Sequence, residues 1–273
     1  MAREYLPIID YYSLESPIAT ELRRLLHNLR RFQSERELKS VLLTSATTGE
    51  GKSTVSSLLA ITAAKKGMKT LLIDCDLRRP TVHRLFAVDR RHGMVEILSE
   101  GVPPKGVIKR TALENLDLIT AGQAVPHPTE LFDSKAIGSF TNELKFYYDL
   151  IIVDTPPVIP VSDPMLLSQE LDGALLVVKA GATAREVVSR AVDIMSANSS
   201  NLLGVVLNNV KGSLPYYYDY SHYHYDYSTR TPNGSPGGKN AKSGKKGKGG
   251  AAAGTEQTPD KSAGDTGKKQ IPR

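Results

Sequence analysis

The run Ala46-Thr47-Thr48-Gly49-Glu50-Gly51-Lys52-Ser53-Thr54 carries the first chemistry this chain offers. A turn of small residues that ends on a lysine and two hydroxyls is suited to holding phosphate. The backbone N–H groups of Thr48, Gly49, Glu50 and Gly51 would wrap phosphate oxygens, and Lys52 would neutralise the β and γ oxygens. The Ser53 hydroxyl would ligate Mg²⁺, with Thr54 beside it. Measured against G-x-x-x-x-G-K-[ST], only the first position departs, being Ala46. Four apolar or β-branched residues, 41–44, lead into the turn as a buried strand. An apolar-periodic helix leads out of it, so a helix N-terminus adds its partial positive charge. The implied ligand is a nucleoside triphosphate.

Two further stretches end an apolar run on a carboxylate. Leu71-Leu72-Ile73-Asp74-Cys75-Asp76-Leu77-Arg78-Arg79-Pro80 places Asp74 at a strand's C-terminal end, where α/β proteins bind ligands, with Asp76 two residues on. Either could accept a proton from an attacking hydroxyl or orient a water, and the sequence does not choose between them. Leu150-Ile151-Ile152-Val153-Asp154 ends on the carboxylate expected to hold Mg²⁺ directly or through water. Arg78 and Arg79 could contact phosphate or a neighbouring subunit but read by default as solvated arginines, and Cys75 reads as a small buried filler.

Seven of the twelve tyrosines fall within 216–227, Y-Y-Y-D-Y-S-H-Y-H-Y-D-Y. No Leu, Ile or Val accompanies them, so the stretch does not read as a folded element. It has no Lys or Arg, which argues against stacking on nucleic acid in a basic groove. Two histidines alone do not make a metal site. A tyrosine-dense segment tethered to a triphosphate site reads instead as a substrate. Each phosphate added there would contribute about −1.5 to −2 charge.

The elements that must position these groups alternate. Residues 1–15 show no period and read as an extended arm. Ser16-Pro17 supplies a capping hydroxyl and a first-turn proline for a helix to about residue 32, with Leu22, Leu25, Leu26 and Leu29 on one stripe. After the phosphate turn come a helix to residue 66 closed by Gly67, and strands at 70–74, 116–120, 150–154, 174–179 and 202–208. Helices are expected at 81–86, 94–99, within 128–148, at 162–171 and at 183–198. The last would open on the capping box Thr183-x-x-Glu186. Continuously apolar strands alternating with helices specify an α/β fold. It is a P-loop NTPase-type three-layer sandwich with a mostly parallel central sheet and helices on both faces. The expected organisation is an arm at 1–15, a P-loop domain at 16–212, a tyrosine-rich segment at 213–228 and a Gly/Lys-rich tail at 229–273.

Charge sharpens that division. The whole chain is +6, while residues 229–273 alone carry +7, so the basic character belongs to the tail. The tail lacks aromatics and almost all large aliphatics, and its composition is that of a disordered segment. One cysteine excludes an internal disulfide framework and suits a reducing compartment. No apolar run approaches the ~20 residues of a membrane helix, and the N-terminus lacks a secretory signal's apolar core. A cytoplasmic chain is expected.

As a set and in this order, S-A-T-T-G-E-G-K-S-T, L-L-I-D-C-D-L-R-R-P, L-I-I-V-D-T-P-P-V and the C-terminal tyrosines resemble the bacterial tyrosine kinases of capsule and exopolysaccharide synthesis. The resemblance spans about 16–227. It implies ATP and Mg²⁺ bound through Lys52, Ser53 and Thr54, and Asp74, Asp76 and Asp154 as the acidic residues of metal binding and catalysis. Asp76 would most naturally serve as base, and Asn208 would fall where related domains contact adenine. Tyr216, Tyr217, Tyr218, Tyr220, Tyr223, Tyr225 and Tyr227 become autophosphorylation sites, reached in trans by an adjacent subunit. The family's Glu-x-x-Arg-x-x-Arg helix builds a ring-shaped homo-oligomer. Here Glu21 and Arg24 match, and His27 takes the last place.

Implied partners are a membrane polysaccharide co-polymerase whose cytoplasmic segment activates the kinase, and a cognate tyrosine phosphatase. No specific nucleic acid is implied. The chain reads as the separate-kinase form, held at the inner face of the membrane through its partner. The nearest rival is a partitioning or cell-division-site ATPase switch that binds DNA or membrane. Such proteins carry a second lysine five positions before the main one, where this chain has Thr47, and they lack the tyrosines. The basic tail is the one feature that favours the rival. A catalytically weak, ATP-binding regulator is the remaining alternative.

Overall fold

Val41, Leu42 and Leu43 are each fully buried, and they point alternately to two separate cores. A strand apolar on both faces can only sit inside a sheet covered on both sides. The computed structural model describes residues 7–35, 38–132, 134–198 and 200–210. Within them the strands are β1 (Ser40–Ser45), β2 (Thr70–Asp74), β3 (Lys109–Arg110), β4 (Leu116–Ile119), β5 (Leu150–Asp154), β6 (Gly173–Lys179) and β7 (Leu202–Asn208). They form one sheet in the order β3-β4-β2-β5-β1-β6-β7. All pairs are parallel except β3 with β4. The antiparallel edge strand is too short to have left a period in the sequence.

The helices are α1 (Ile8–Tyr11), α2 (Pro17–Glu35), α3 (Lys52–Lys65), α4 (Val82–Leu85), α5 (Met94–Glu100), α6 (Ser134–Leu144), α7 (Asp163–Ser168) and α8 (Arg185–Ala197). On one face Leu42, Ile73, Ile151 and Leu176 pack with Met94 of α5, Phe140 of α6, Leu167 of α7 and Met195 of α8. On the other, Leu43, Leu72, Ile152 and Val177 meet Leu59 and Ile61 of α3 and Leu26 and Leu29 of α2. The fold is therefore the three-layer α/β/α sandwich expected. α3 is buried on most sides, because α2 covers the face that the sheet leaves open.

Three local expectations are corrected. The arm is not extended throughout: α1 forms at 8–11, and Ile8 and Ile9 pack against the core. Tyr12 is buried with its hydroxyl 2.7 Å from Thr62 Oγ1, so the folded unit begins before residue 16. Ser16 does cap α2, its Oγ accepting the Ala19 amide at 3.2 Å. The Thr183–Glu186 capping box does not form. The N-cap of α8 is Ala184, and the Thr183 hydroxyl is drawn instead to the buried Glu50 carboxylate. Among the described residues no helix is long and apolar enough to cross a membrane.

Candidate functional site

Register decides which carboxylates meet. Asp74 and Asp154 are direct partners across β2 and β5, and Leu43 of β1 pairs with Asp154 on the other side. β1 lies between β5 and β6 while its successor β2 lies beyond β5, so the chain reverses its winding beside the phosphate turn. Open α/β sheets bind ligands at such a crevice.

The turn itself has the geometry that phosphate requires. Gly49 and Gly51 have φ of 80° and 87°, a left-handed conformation that other residues adopt only with strain. A Cβ on Gly51 would also collide with the Asn208 side chain, whose Nδ2 donates to the Glu50 carbonyl at 2.8 Å. No side chain caps the N-terminus of α3, so its first amides remain for an anion. The Glu50 side chain turns inward. Its Oε2 accepts the Thr47 amide at 2.7 Å, and its Oε1 takes the Lys179 amide at 3.4 Å together with the Thr183 hydroxyl. Only the backbone of Glu50 is left to face a ligand. Asn208 braces the loop from the end of β7 and does not line the cavity in front of it.

That cavity, ≈ 420 Å³, is lined by Thr48, Gly49, Gly51, Lys52, Ser53, Thr54 and Asp76, among others. Lys52 Nζ lies 2.8 Å from Asp76 Oδ2, 3.3 Å from Ser53 Oγ and 3.8 Å from Asp154 Oδ2. Asp154 is fully buried; its Oδ1 accepts from Ser56 Oγ at 3.2 Å, and its Oδ2 has no hydrogen-bond partner. Asp74 is equally buried but fully engaged. Its Oδ1 accepts the Asp76 amide at 3.1 Å and its Oδ2 the amides of Thr81 and Val82, each at 3.1 Å. Asp74 thereby shapes the segment that carries Asp76 and starts α4.

Three carboxylates share one ammonium in a place largely closed to water. Burial, then the charge of Asp154, pushes Asp74 up to about 8, against the pull of the Val82 amide. Burial also raises Asp154, partly offset by Lys52. For Lys52, burial works downward, but attraction to Asp154, Asp76 and Asp74 outweighs it and raises the lysine. Such a deficit of positive charge, with one carboxylate oxygen unpartnered, fits a cation carried in with a phosphate ligand. Among the described residues no three His, Cys, Asp or Glu side chains would hold a metal by themselves. That is the usual condition for Mg²⁺, which takes one or two carboxylates and completes its shell with phosphate oxygens and water.

The structure thus brings together Lys52, Ser53, Thr54, Asp76 and Asp154, sets Asp74 behind them, and leaves the Glu50 side chain and Asn208 as braces. Glu21 and Arg24 stand apart on α2 as an ion pair at 2.7 Å. The seven cluster tyrosines and the basic tail lie outside the described residues. From the sequence Arg78 read by default as a solvated arginine. It lines the cavity and is anchored to Asp163, at the start of α7, and to Thr129, contacts that no local spacing announces.

A phosphate turn between β1 and α3, faced by acidic ends of β2 and β5, defines a P-loop NTPase. A ParA family profile, described as NUBPL iron-transfer P-loop NTPase, matches residues 37–221. Tyrosine-protein kinase YwqD of Bacillus subtilis strain 168 is 34% identical over 223 residues, covering 82% of this chain and 92% of that protein. The kinase domain of the Escherichia coli tyrosine kinase ETK superposes with a TM-score of 0.73 at 32% identity, covering 80% of this chain and 86% of that one. The chimerical protein CapA2B2 superposes with a TM-score of 0.69 at 33% identity, covering 74% and 89%. The chain belongs to the ParA-type P-loop NTPases and, within them, to the bacterial tyrosine-protein kinases.

Proposed function

We propose that the chain transfers the γ-phosphoryl group of ATP to tyrosines 216–227 of an adjacent copy of itself, and that this controls a machinery of capsule or exopolysaccharide synthesis. The observation that carries the mechanism is the Lys52–Asp76 pair at 2.8 Å inside the phosphate-loop cavity. ATP phosphates would draw Lys52 toward the β and γ oxygens and free Asp76 Oδ2. Ser53 and Asp154 are the residues that would hold Mg²⁺, which supplies charge neutralisation along the phosphates. Asp76 then accepts the proton of the tyrosine hydroxyl as its oxygen bonds to the γ-phosphorus and ADP leaves. Asp74, whose oxygens already take three backbone amides, is a positioning residue for Asp76.

Regulation follows from the same resemblance. The chain acts as a homo-oligomer assembled in part through the helix bearing Glu21 and Arg24. It works at the inner face of the membrane, activated by the cytoplasmic segment of a membrane partner and reversed by a tyrosine phosphatase. The likeness to CapA2B2, a chimera whose name joins two components, supports a kinase that works with a second polypeptide.

Intact-mass spectrometry after incubation with ATP and Mg²⁺, wild type against Lys52→Met, tests the reading. The wild type should show a ladder of phosphate additions mapping to 216–227, and the variant none. A wild type that hydrolyses ATP but gains no phosphate on any tyrosine would overturn it.

A further inference from the structure

Beyond the phosphate loop, the cavity is lined by two unlike sets of residues. Pro157, Pro160 and Val161 give it an apolar wall, and Arg78 and Arg79 give it positive charge. Neither set is needed to cradle phosphate, since the loop amides, the start of α3 and Lys52 already do so.

The two arginines are held differently. Arg78 Nε lies 3.3 Å from Asp163 Oδ2, and its Nη2 donates to Thr129 Oγ1 at 2.5 Å. Thr129 Oγ1 in turn lies 2.6 Å from Asp163 Oδ1. Asp163 is fully buried, so the guanidinium is fixed from below by a carboxylate that cannot itself reach a ligand. A guanidinium ordered in this way has little freedom left to lose and keeps its outer edge for a second anion. Arg79 is tied only through its backbone: its amide donates to Asp76 Oδ1 at 2.9 Å, and its carbonyl accepts from Thr81 Oγ1 at 3.0 Å. Among the described residues its guanidinium has no carboxylate partner, and it stands exposed at the mouth.

We propose that Arg78 and Arg79 select the acceptor: a tyrosine whose ring lies along the proline wall and whose neighbour in sequence is acidic. This rests on the reading of the chain as a kinase of its own tyrosine cluster, and adds to it an order of events. Asp219 lies between Tyr218 and Tyr220, and Asp226 between Tyr225 and Tyr227, in a segment without a single Lys or Arg. Those four tyrosines are modified first. Each phosphate brings about −1.5 to −2 charge and outdoes an aspartate as an arginine ligand. Modification therefore spreads from Tyr218 to Tyr217 and then to Tyr216, while Tyr223, flanked by His222 and His224, gains no anionic neighbour and is modified last. Asp163 acts as a positioning residue, through Arg78.

The test uses the full-length chain with its seven cluster tyrosines changed to phenylalanine, together with Asp219→Asn and Asp226→Asn, so that its own segment does not compete. Fluorescein-labelled peptide 214–228, and the same peptide with both aspartates changed to asparagine, are titrated by anisotropy with a non-hydrolysable ATP analogue and Mg²⁺. The acidic peptide should bind about tenfold tighter than the asparagine peptide. Arg79→Gln, a change at an exposed side chain, should remove that advantage, leave the asparagine peptide unaffected, and leave the affinity for a fluorescent ATP analogue unchanged. In the wild-type chain, early phosphates should map to Tyr218, Tyr220, Tyr225 and Tyr227. Equal binding of the two peptides, or early phosphate on Tyr216, Tyr217 or Tyr223, overturns acidic selection and leaves the kinase reading standing. Weakened ATP-analogue binding by Arg79→Gln overturns it in favour of a nucleotide contact. If neither peptide binds and the wild-type chain gains no phosphate, both readings fall together.

Discussion

Asp172, just before β6, and Asp154, at the end of β5, are both carboxylates beside a lysine at opposite ends of the same sheet, and the likeness stops there. Asp172 accepts the amides of Lys39 and Ser40, each at 2.8 Å, the Ser40 hydroxyl at 2.9 Å and the Lys145 ammonium at 2.6 Å. Burial works to raise it, but Lys145 and those donors prevail and hold it below the usual carboxylate range. Asp154 has one hydroxyl on one oxygen, nothing bonded to the other, and a lysine divided among three acids. The first centre is complete and ties β1 to β6. The second is incomplete in the way that a ligand with phosphates and a cation would complete. Perturbed groups of the second kind mark functional sites, and they are held there at some expense of stability.

Asp154→Asn gives the sharpest break in that comparison. It should reduce phosphoryl transfer by about 10²- to 10³-fold, the scale of losing one electrostatic stabiliser of the transition state. An intact rate measured on autophosphorylation would remove Asp154 from the site. Asp172→Ala should act in the opposite sense, leaving transfer by the folded chain unchanged while destabilising it by about 2–3 kcal/mol. Two amides and a largely buried ammonium lose their acceptor together. Urea unfolding reads this directly, and a loss under about 0.5 kcal/mol would mean that Asp172 is not the tie between β1 and β6.

A smaller effect sharpens the contrast further. Because Asp154 repels its acidic neighbours in the absence of ligand, Asp154→Asn should stabilise the ligand-free chain by about 1 kcal/mol. A destabilised variant would show that the three acids are not in conflict. The smallest effect is on pH. The carboxyl of Asp172 titrates lower in the folded chain than in the unfolded one, so its contribution is fully present above about pH 4. It is lost as pH falls through the folded value. Unfolding followed from pH 5 to pH 2 should show this loss in the wild type and not in Asp172→Asn.

Much of this was legible before the fold. The apolar runs ending on Asp74 and Asp154 place both carboxylates at strand ends, because a buried strand must be apolar until it reaches the solvent edge. Glycine at 49 and 51 and lysine at 52 are demands of backbone conformation and charge that hold within a few residues. The α1 turn at 8–11 was not legible, since four residues leave no helical period and its helix exists because Tyr12 finds Thr62. Nor was the fate of Thr183. Its spacing to Glu186 obeys the capping rule, yet a buried Glu50 carboxylate 133 residues away in sequence is the stronger partner for its hydroxyl.

The division between Asp74 and Asp76 shows where the sequence stops. Two aspartates separated by one residue look interchangeable in the chain, and the local pattern fixed only that both stand beyond β2. Tertiary structure separates them, because the chain folds back through Thr81 and Val82 and offers three amides to Asp74, leaving Asp76 to meet Lys52. Arg78 is the same case, ordered by Asp163 and Thr129 from segments 85 and 51 residues away. Sequence by itself determined the phosphate loop, the acidic strand ends and the layered fold, since each rests on periodicity or on local backbone demands. Which carboxylate is free to act depended on how residues 76–82 fold back around Asp74 and on where Lys52 comes to lie, and which arginine is held over the cavity depended on long-range hydrogen bonds that exist only once the sheet has closed.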